Sequence, residues 1–153
     1  MADVDVTEHI AAAPDAVYDL ISDLTRMGEW SPENRGGEWI RGASGPAVGA
    51  WFKGRNQHQG RRWTAKCLVT AAERGRQFAF EVHFGPYTSA KWCYQIEPTA
   101  DGCVVTESAV DQRPGWLRAI YPYVMGIKDR AEQNRVNMRT TLRRLKDTAE
   151  ATG

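Results

Sequence analysis

The sequence predicts an α+β fold in which an antiparallel sheet of seven strands is covered on one face by a long C-terminal helix. Three observations support this fold class. Short runs of alternating apolar and polar residues fill the middle of the chain, residues 36–112. Apolar residues then recur with a helical period up to Leu145. The 153 residues contain no repeat and no linker, so we expect one domain spanning residues 1–153.

The first elements are a strand and two short helices. Residues 3–10 alternate as a strand does, and Pro14 suits the first turn of a helix because its missing N–H is not needed there. Four apolar residues then form one helical stripe: Val17, Leu20, Ile21 and Leu24. We expect Thr25 to cap a second short helix that ends before Pro32.

Six further strands follow, each rich in β-branched and aromatic residues. They are predicted near residues 37–41, 49–58, 62–74, 76–84, 87–97 and 102–112. Turns of a few residues, rich in glycine, proline and polar residues, separate them. Because connections this short favour hairpins, the strands are expected to form an antiparallel meander.

The C-terminal quarter is helical. Its first stripe is short: Leu117, Ile120 and Val124. A longer stripe follows: Ile127, Ala131, Asn134, Met138, Leu142 and Leu145. Pro122 and Gly126 predict a kink or break between the two. This long helix is the only predicted element large enough to cover one face of the sheet.

The alternation within the strands predicts which side chains face this helix. Four inward rows are expected: Phe52, Gly54, Asn56 and His58; Trp63, Ala65, Cys67 and Val69; Phe78, Phe80, Val82 and Phe84; and Trp92, Tyr94 and Ile96. The chain has 15 aromatic residues, six of them tryptophan. Such a load of rings suits either a packed core or the wall of an apolar cavity.

Composition and charge exclude several classes of protein. The net charge of +1 argues against a nucleic-acid partner, and no apolar run is long enough to span a bilayer. The acidic, alternating N-terminus does not resemble a secretory signal. The three cysteines lack the spacing of a disulfide framework or a zinc site. We therefore expect a cytoplasmic protein without a metal or another cofactor.

Three segments carry a resemblance to a known family: GEWSPE at 28–33, VGAWFKGRNQHQGRRW at 48–63 and GIKDRAEQNRVNMRTTLRRL at 126–145. With the order of elements, they resemble the START-related helix-grip superfamily (SRPBCC), in its polyketide cyclase/dehydrase-like branch. The resemblance implies a helix-grip fold, with the sheet curled around the long helix and a deep, mainly apolar cavity between them. Members of this superfamily bind lipids, sterols, polyketides or hormones, and a minority catalyse cyclisation or dehydration.

The residues favour a non-catalytic protein that binds a small hydrophobic ligand, lipid-, sterol- or polyketide-like. The expected lining is mostly apolar: Phe52, Trp63, Phe80, Phe84, Trp92, Tyr94, Val124 and Met138. Asn56, His58 and Asn134 lie on otherwise inward-facing rows, where an unpartnered polar group is costly. We expect the two asparagines to anchor a polar end of the ligand.

Two alternatives stay open. One is a polyketide cyclase or dehydratase that acts in the same cavity, with Tyr94, His58 or Arg55 polarising a carbonyl or moving a proton. No nucleophile or cofactor motif supports catalysis. The other is a cavity filled by its own rings, in a domain that serves protein contacts. The sequence also leaves the oligomeric state open, a homodimer included.

The acidic N-terminal face has an expected partner. Asp15, Asp19 and Asp23 recur every four residues on the first helix. In a helix-grip fold, this face would lie near Arg143 and Arg144 of the long helix. We therefore expect ion pairs between the two helices.

Overall fold

A seven-stranded antiparallel sheet forms most of the computed structural model, which describes residues 4–113, 115–116, 119 and 130–152. The strands are β1 (Val4–Ile10), β2 (Asn34–Ile40), β3 (Trp51–His58), β4 (Arg61–Glu73), β5 (Gln77–Phe84), β6 (Tyr87–Thr99) and β7 (Gly102–Asp111). The helices are α1 (Pro14–Ser22), a 3₁₀ helix (Leu24–Glu29) and α2 (Arg130–Thr152). The predicted α+β fold with two short helices after the first strand is confirmed.

The strands follow the order β1-β7-β6-β5-β4-β3-β2. Every neighbouring pair from β2 to β7 is a hairpin, as the short turns predicted. β1 joins the far edge by pairing antiparallel with β7, Val4 lying opposite Ala109. Strand β2 begins at Asn34, earlier than predicted, and a bulge lies between Asn34 and Gly37. Residues 34–36, which were predicted to precede this strand, therefore belong to the sheet.

The two short helices differ from expectation in their ends. α1 begins at Pro14, as predicted, and ends at Ser22. The following helix begins at Leu24, so Asp23 occupies the position before its first turn. Thr25 does not cap it: its hydroxyl donates to Asp23 Oδ1 over 2.5 Å. The threonine lies inside the helix, where its side chain bonds backwards along the chain.

The acidic face of α1 pairs with the sheet, and the prediction of a partner on the long helix was wrong for two of its three residues. Arg74, in the turn between β4 and β5, donates to Asp19 over 2.8 and 3.0 Å and to Asp15 over 3.4 Å. Gly75 in the same turn has φ +78°, and a Cβ there would lie 2.3 Å from Asp15 Oδ1. The turn therefore packs directly against α1.

The core lies between the sheet, α1 and α2. Met138, Leu142 and Leu145 of α2 are fully buried, which confirms that part of the predicted stripe. The earlier stripe at 117, 120 and 124 and the residue Ile127 lie outside the described residues. The inward rows of β4, β5 and β6 are confirmed by buried members such as Val69, Phe78 and Ile96.

No described helix is long and apolar enough to cross a membrane.

Candidate functional site

A partly enclosed cavity of about 140 Å³ lies between the sheet and α2. Its described lining comes from the 3₁₀ helix, the segment before β2, six of the seven strands and α2. These residues are Met27, Ser31, Glu33, Asn34, Phe52, Gly54, Asn56, Trp63, Ala65, Cys67, Phe80, Val82, Trp92, Tyr94, Glu107, Asn134, Asn137, Met138 and Thr141.

The middle of the sheet supplies an apolar wall. Trp63, Ala65 and Cys67 project from β4, and Phe80 and Val82 from β5. Their spacing of two residues explains why each strand presents a continuous apolar row to the cavity. Phe80 lies directly opposite Trp92 of β6, so two large rings adjoin across the strands. Burial raises the pKa of Cys67 to about 12, so this thiol stays neutral at physiological pH.

One polar group joins the segment before β2, the end of β3 and α2. The Asn137 amide donates to Glu33 Oε2 over 2.8 Å and accepts from Gln133 over 3.0 Å. His58 Nδ1 lies 3.7 Å from the same Glu33 oxygen. Glu33 is 7% exposed, so these contacts stabilise a carboxyl group that has little access to water.

Three asparagines, Asn34, Asn56 and Asn134, extend this polar group along the cavity. Asn34 donates to Asn56 Oδ1 over 3.5 Å, and the two residues are directly opposite in the β2–β3 register. Asn134 contributes from α2, and its Oδ1 is buried without a hydrogen-bond partner among the described residues. An orphaned acceptor at a cavity wall is available to a donor on a ligand.

A second polar group lies across the apolar wall, on β6 and β7. Tyr94 and Glu107 are directly opposite in the β6–β7 register, and the tyrosine hydroxyl donates to Glu107 Oε2 over 2.8 Å. They are 6% and 3% exposed. The other carboxylate oxygen, Oε1, is buried and has no hydrogen-bond partner among the described residues.

Burial determines the protonation of this pair. It raises the pKa of Glu107 to about 8, although the Tyr94 hydrogen bond acts in the opposite direction. Burial also raises the pKa of Tyr94 well above its usual value, and the nearby Glu107 adds to that shift. At neutral pH, Glu107 is therefore mostly a neutral acid and Tyr94 a neutral phenol.

The cavity gathers eight of the eleven residues proposed from the sequence. They are Phe52, Asn56, Trp63, Phe80, Trp92, Tyr94, Asn134 and Met138. His58 does not line the cavity. Its ring lies 3.7 Å from the carboxyl group of Glu33, which does line it. Val124 and the side chain of Phe84 lie outside the described residues. Arg55 is exposed and does not line the cavity.

Glu107 and Glu33 are the main site residues that the sequence reasoning missed. Glu107 carries a readable signal, because it interrupts an otherwise apolar alternating row, Cys103, Val105 and Ala109, all buried. Glu33 carries none, since it lies in a break between elements. Its position depends on the early start of β2 and on α2, which supplies Asn137.

The described lining contains two carboxyl groups and no lysine, arginine or histidine. No described group of three His, Cys, Asp or Glu residues is arranged to hold a metal ion.

Residues 1–150 match the family described as polyketide cyclase / dehydrase and lipid transport. The chain belongs to this family. A polyketide-cyclase-like protein from Corynebacterium glutamicum, solved by NMR, is 33% identical, with a TM-score of 0.60 over 96% of this chain and 88% of that one. No curated protein gives a significant match.

More distant structures share the fold of this family member. A major latex-like protein from Panax ginseng is 15% identical, with a TM-score of 0.70 over 95% of each chain. A two-domain ARO/CYC protein of the steffimycin biosynthetic pathway is 16% identical, with a TM-score of 0.71. That match covers 97% of this chain and 50% of the two-domain protein. At these identities, the likeness shows the helix-grip architecture alone.

Proposed function

We propose that this protein binds a small, uncharged, ring-bearing molecule in the cavity between the sheet and α2. The observation that carries the proposal is a cavity walled by aromatic rings and bordered by unsatisfied polar atoms. Apolar walls with a few placed polar groups are typical of small-molecule sites. Membership of a family described by polyketide and lipid ligands supports the same ligand class.

The volume of the cavity limits the size of the ligand that it can hold. About 140 Å³ is close to the roughly 150 Å³ of an engineered apolar cavity that holds benzene. Among lipid-, sterol- and polyketide-like ligands, this volume favours a compact aromatic molecule of one or two rings. The four fused rings of a sterol would require the wall to move.

Asn134 is proposed to orient the ligand, because it lines the cavity and its buried Oδ1 has no donor in the described part of the chain. A hydroxyl group on the ligand would satisfy this oxygen and recover the cost of burying it. Asn56 is a weaker anchor, since its Oδ1 already accepts from Asn34.

Native mass spectrometry tests whether a ligand is carried. We expect a mass excess of one small aromatic molecule on the folded protein, lost when the same sample is denatured.

A cyclase or dehydratase is the second candidate, favoured by the buried acid Glu107 at the wall. Loss of water from the carried molecule during incubation would support dehydration, and a changed chromatographic retention at unchanged mass would support cyclisation. A molecule unchanged in both mass and retention would support binding alone.

The anchor has its own test, in which phenol and toluene are compared as probes. Asn134→Leu should lower the affinity for phenol relative to toluene by about five- to tenfold, because one hydrogen bond is lost. Val136→Leu, at an exposed position on the same helix, is the matched control and should change neither affinity. An unchanged phenol-to-toluene ratio in Asn134→Leu would show that Asn134 is not the anchor.

A further inference from the structure

The unpartnered oxygen of Glu107 is the most unusual polar atom in the described part of the cavity. Oε2 of this carboxyl group accepts a hydrogen bond from the Tyr94 hydroxyl over 2.8 Å, whereas Oε1 is buried without a partner among the residues that the structure describes. Glu107 lines the cavity and is 3% exposed, so bulk water does not readily satisfy Oε1. A native structure rarely leaves such an atom unsatisfied without a functional reason.

The tyrosine determines which oxygen of the acid carries the proton. An oxygen that accepts a hydrogen bond from a phenol acts as the carbonyl oxygen of the carboxyl group. The proton of the neutral acid then resides on Oε1. The orphaned atom is consequently a hydrogen-bond donor, held in one orientation by Tyr94.

The surroundings of Glu107 keep it neutral. On β1, the residue directly opposite is Val6, and on β6 it is Tyr94. From α2, the cavity receives Asn134, Asn137, Met138 and Thr141, none of which titrates. The remaining titratable groups of the described lining are Glu33 and Cys67, and neither supplies a positive charge that would favour the carboxylate.

We propose that Glu107, positioned by Tyr94, donates a hydrogen bond to a carbonyl oxygen of the bound molecule and so selects uncharged aromatic ketones, aldehydes or quinones. This inference rests on the proposed function and specifies its ligand class. A carboxylate ligand is disfavoured, because the described wall has no cation to pair with it. A hydrocarbon leaves Oε1 without an acceptor and loses the corresponding stabilisation.

Two probes of similar shape, acetophenone and ethylbenzene, test the inference by calorimetric titration at pH 6.5. The measured quantity is the ratio of the two affinities. In this ratio, the free energy of burying apolar surface cancels, because it is similar for both probes. We expect Glu107→Leu to lower the ketone-to-hydrocarbon ratio by about five- to tenfold. Glu107→Gln should keep most of the ratio, because an amide N–H replaces the acid O–H at the same place.

The ionisation of Glu107 provides a second readout. Above its pKa of about 8, the carboxylate has no proton to donate and repels the ketone oxygen. The ratio in the wild-type protein should therefore fall between pH 6.5 and pH 9.5. The ratio in Glu107→Gln should stay constant over this range.

Infrared spectra of bound ¹³C-labelled acetophenone should show a lowered carbonyl stretching frequency in the wild type and not in Glu107→Leu.

The possible failures are distinguishable. If both probes bind and Glu107→Leu leaves the ratio unchanged, the acid donor is wrong and the ligand-binding cavity survives. If neither probe binds the wild-type protein, the proposed function fails and this inference fails with it. If Glu107→Gln loses the ratio as fully as Glu107→Leu does, donation at this site is overturned. Ethylbenzene binding by each variant reports that its cavity remains folded.

Discussion

Glu107 is an ionisable residue that the fold buries, although burial disfavours the charged form of a carboxyl group. Its neighbours on the same face of β7, Val105 and Ala109, are buried apolar residues, so the strand carries the carboxyl group into the core. The register then brings Tyr94 directly opposite, and one hydrogen bond offsets part of the cost of burial. Stability and the proposed ligand recognition therefore depend on the same side chain.

The raised pKa of Glu107 makes folding stability dependent on pH. The folded protein holds this proton up to about pH 8, whereas the unfolded chain releases it near pH 4.5. Between these values the folded state binds more protons, so the contribution of Glu107 to stability is lost as pH rises. The loss is about 1.4 kcal/mol for each pH unit.

We expect the folding stability of Glu107→Gln not to show this loss as pH rises, because an amide does not ionise. Urea unfolding at pH 5 and at pH 8 should show the wild type losing stability relative to the variant by a few kcal/mol. Comparing the two proteins at each pH removes the contribution of the other carboxyl groups. Parallel changes in both unfolding midpoints would mean that Glu107 is ionised in the folded protein.

Among the elements, the pairing of β2 with β3 shapes one wall of the cavity. Gly37 follows the bulge in β2 and lies opposite Gly54. A Cβ at Gly37 would lie 2.6 Å from the ring of Phe52 and 2.3 Å from the Lys53 carbonyl oxygen. Phe52 lines the cavity and is 1% exposed, so a displaced ring would move into the cavity, whereas the Lys53 carbonyl oxygen is held by the backbone of the sheet.

Gly37→Ala is therefore expected to destabilise the protein by about 1–3 kcal/mol through overpacking. It should also weaken binding of the aromatic probes, since the Phe52 ring would be displaced. Gly45→Ala is the matched control, because a Cβ there has no atom within 4 Å. Equal thermal unfolding midpoints for the two variants would show that the β2–β3 contact tolerates a methyl group.

Across the whole molecule, α2 serves both the core and the cavity. Leu142, Leu145 and Ala149 are buried in the core, whereas the cavity is lined from the preceding turns by Asn134, Asn137, Met138 and Thr141. The C-terminal end is tied to the end of β1, where Lys146 donates to the His9 carbonyl over 3.1 Å and Glu150 accepts from the Ala11 N–H over 2.9 Å. The helix thus has an anchored half and a cavity-facing half.

This division predicts that stability and binding can be separated along α2. Leu145→Ala should lower the free energy of unfolding by about 2–5 kcal/mol, because it leaves a hole in the core. Its affinity for ethylbenzene should change little, since Leu145 does not line the cavity. Val136→Ala, 48% exposed, should change stability by no more than about 0.5 kcal/mol. Loss of probe binding in a folded Leu145→Ala protein would contradict the division.

Local pattern alone determined much of this protein. Alternation in the strands predicted the inward rows that hold Phe80, Trp92 and Tyr94, and short turns predicted the meander from β2 to β7. These features follow from the period of a strand and the reach of a short turn, both of which are local. The helical stripe likewise predicted that Met138, Leu142 and Leu145 would face the sheet.

Tertiary structure alone decided which distant groups meet. Glu107 meets Tyr94 through the β6–β7 register, and Glu33 meets Asn137 of α2. Arg74 pairs with Asp15 and Asp19, for which partners on α2 were predicted. A slip of one residue in a strand would turn each side chain to the opposite face, so these partners depend on the complete sheet. The volume of the cavity is decided in the same way, because it is the space left after all the rings have packed.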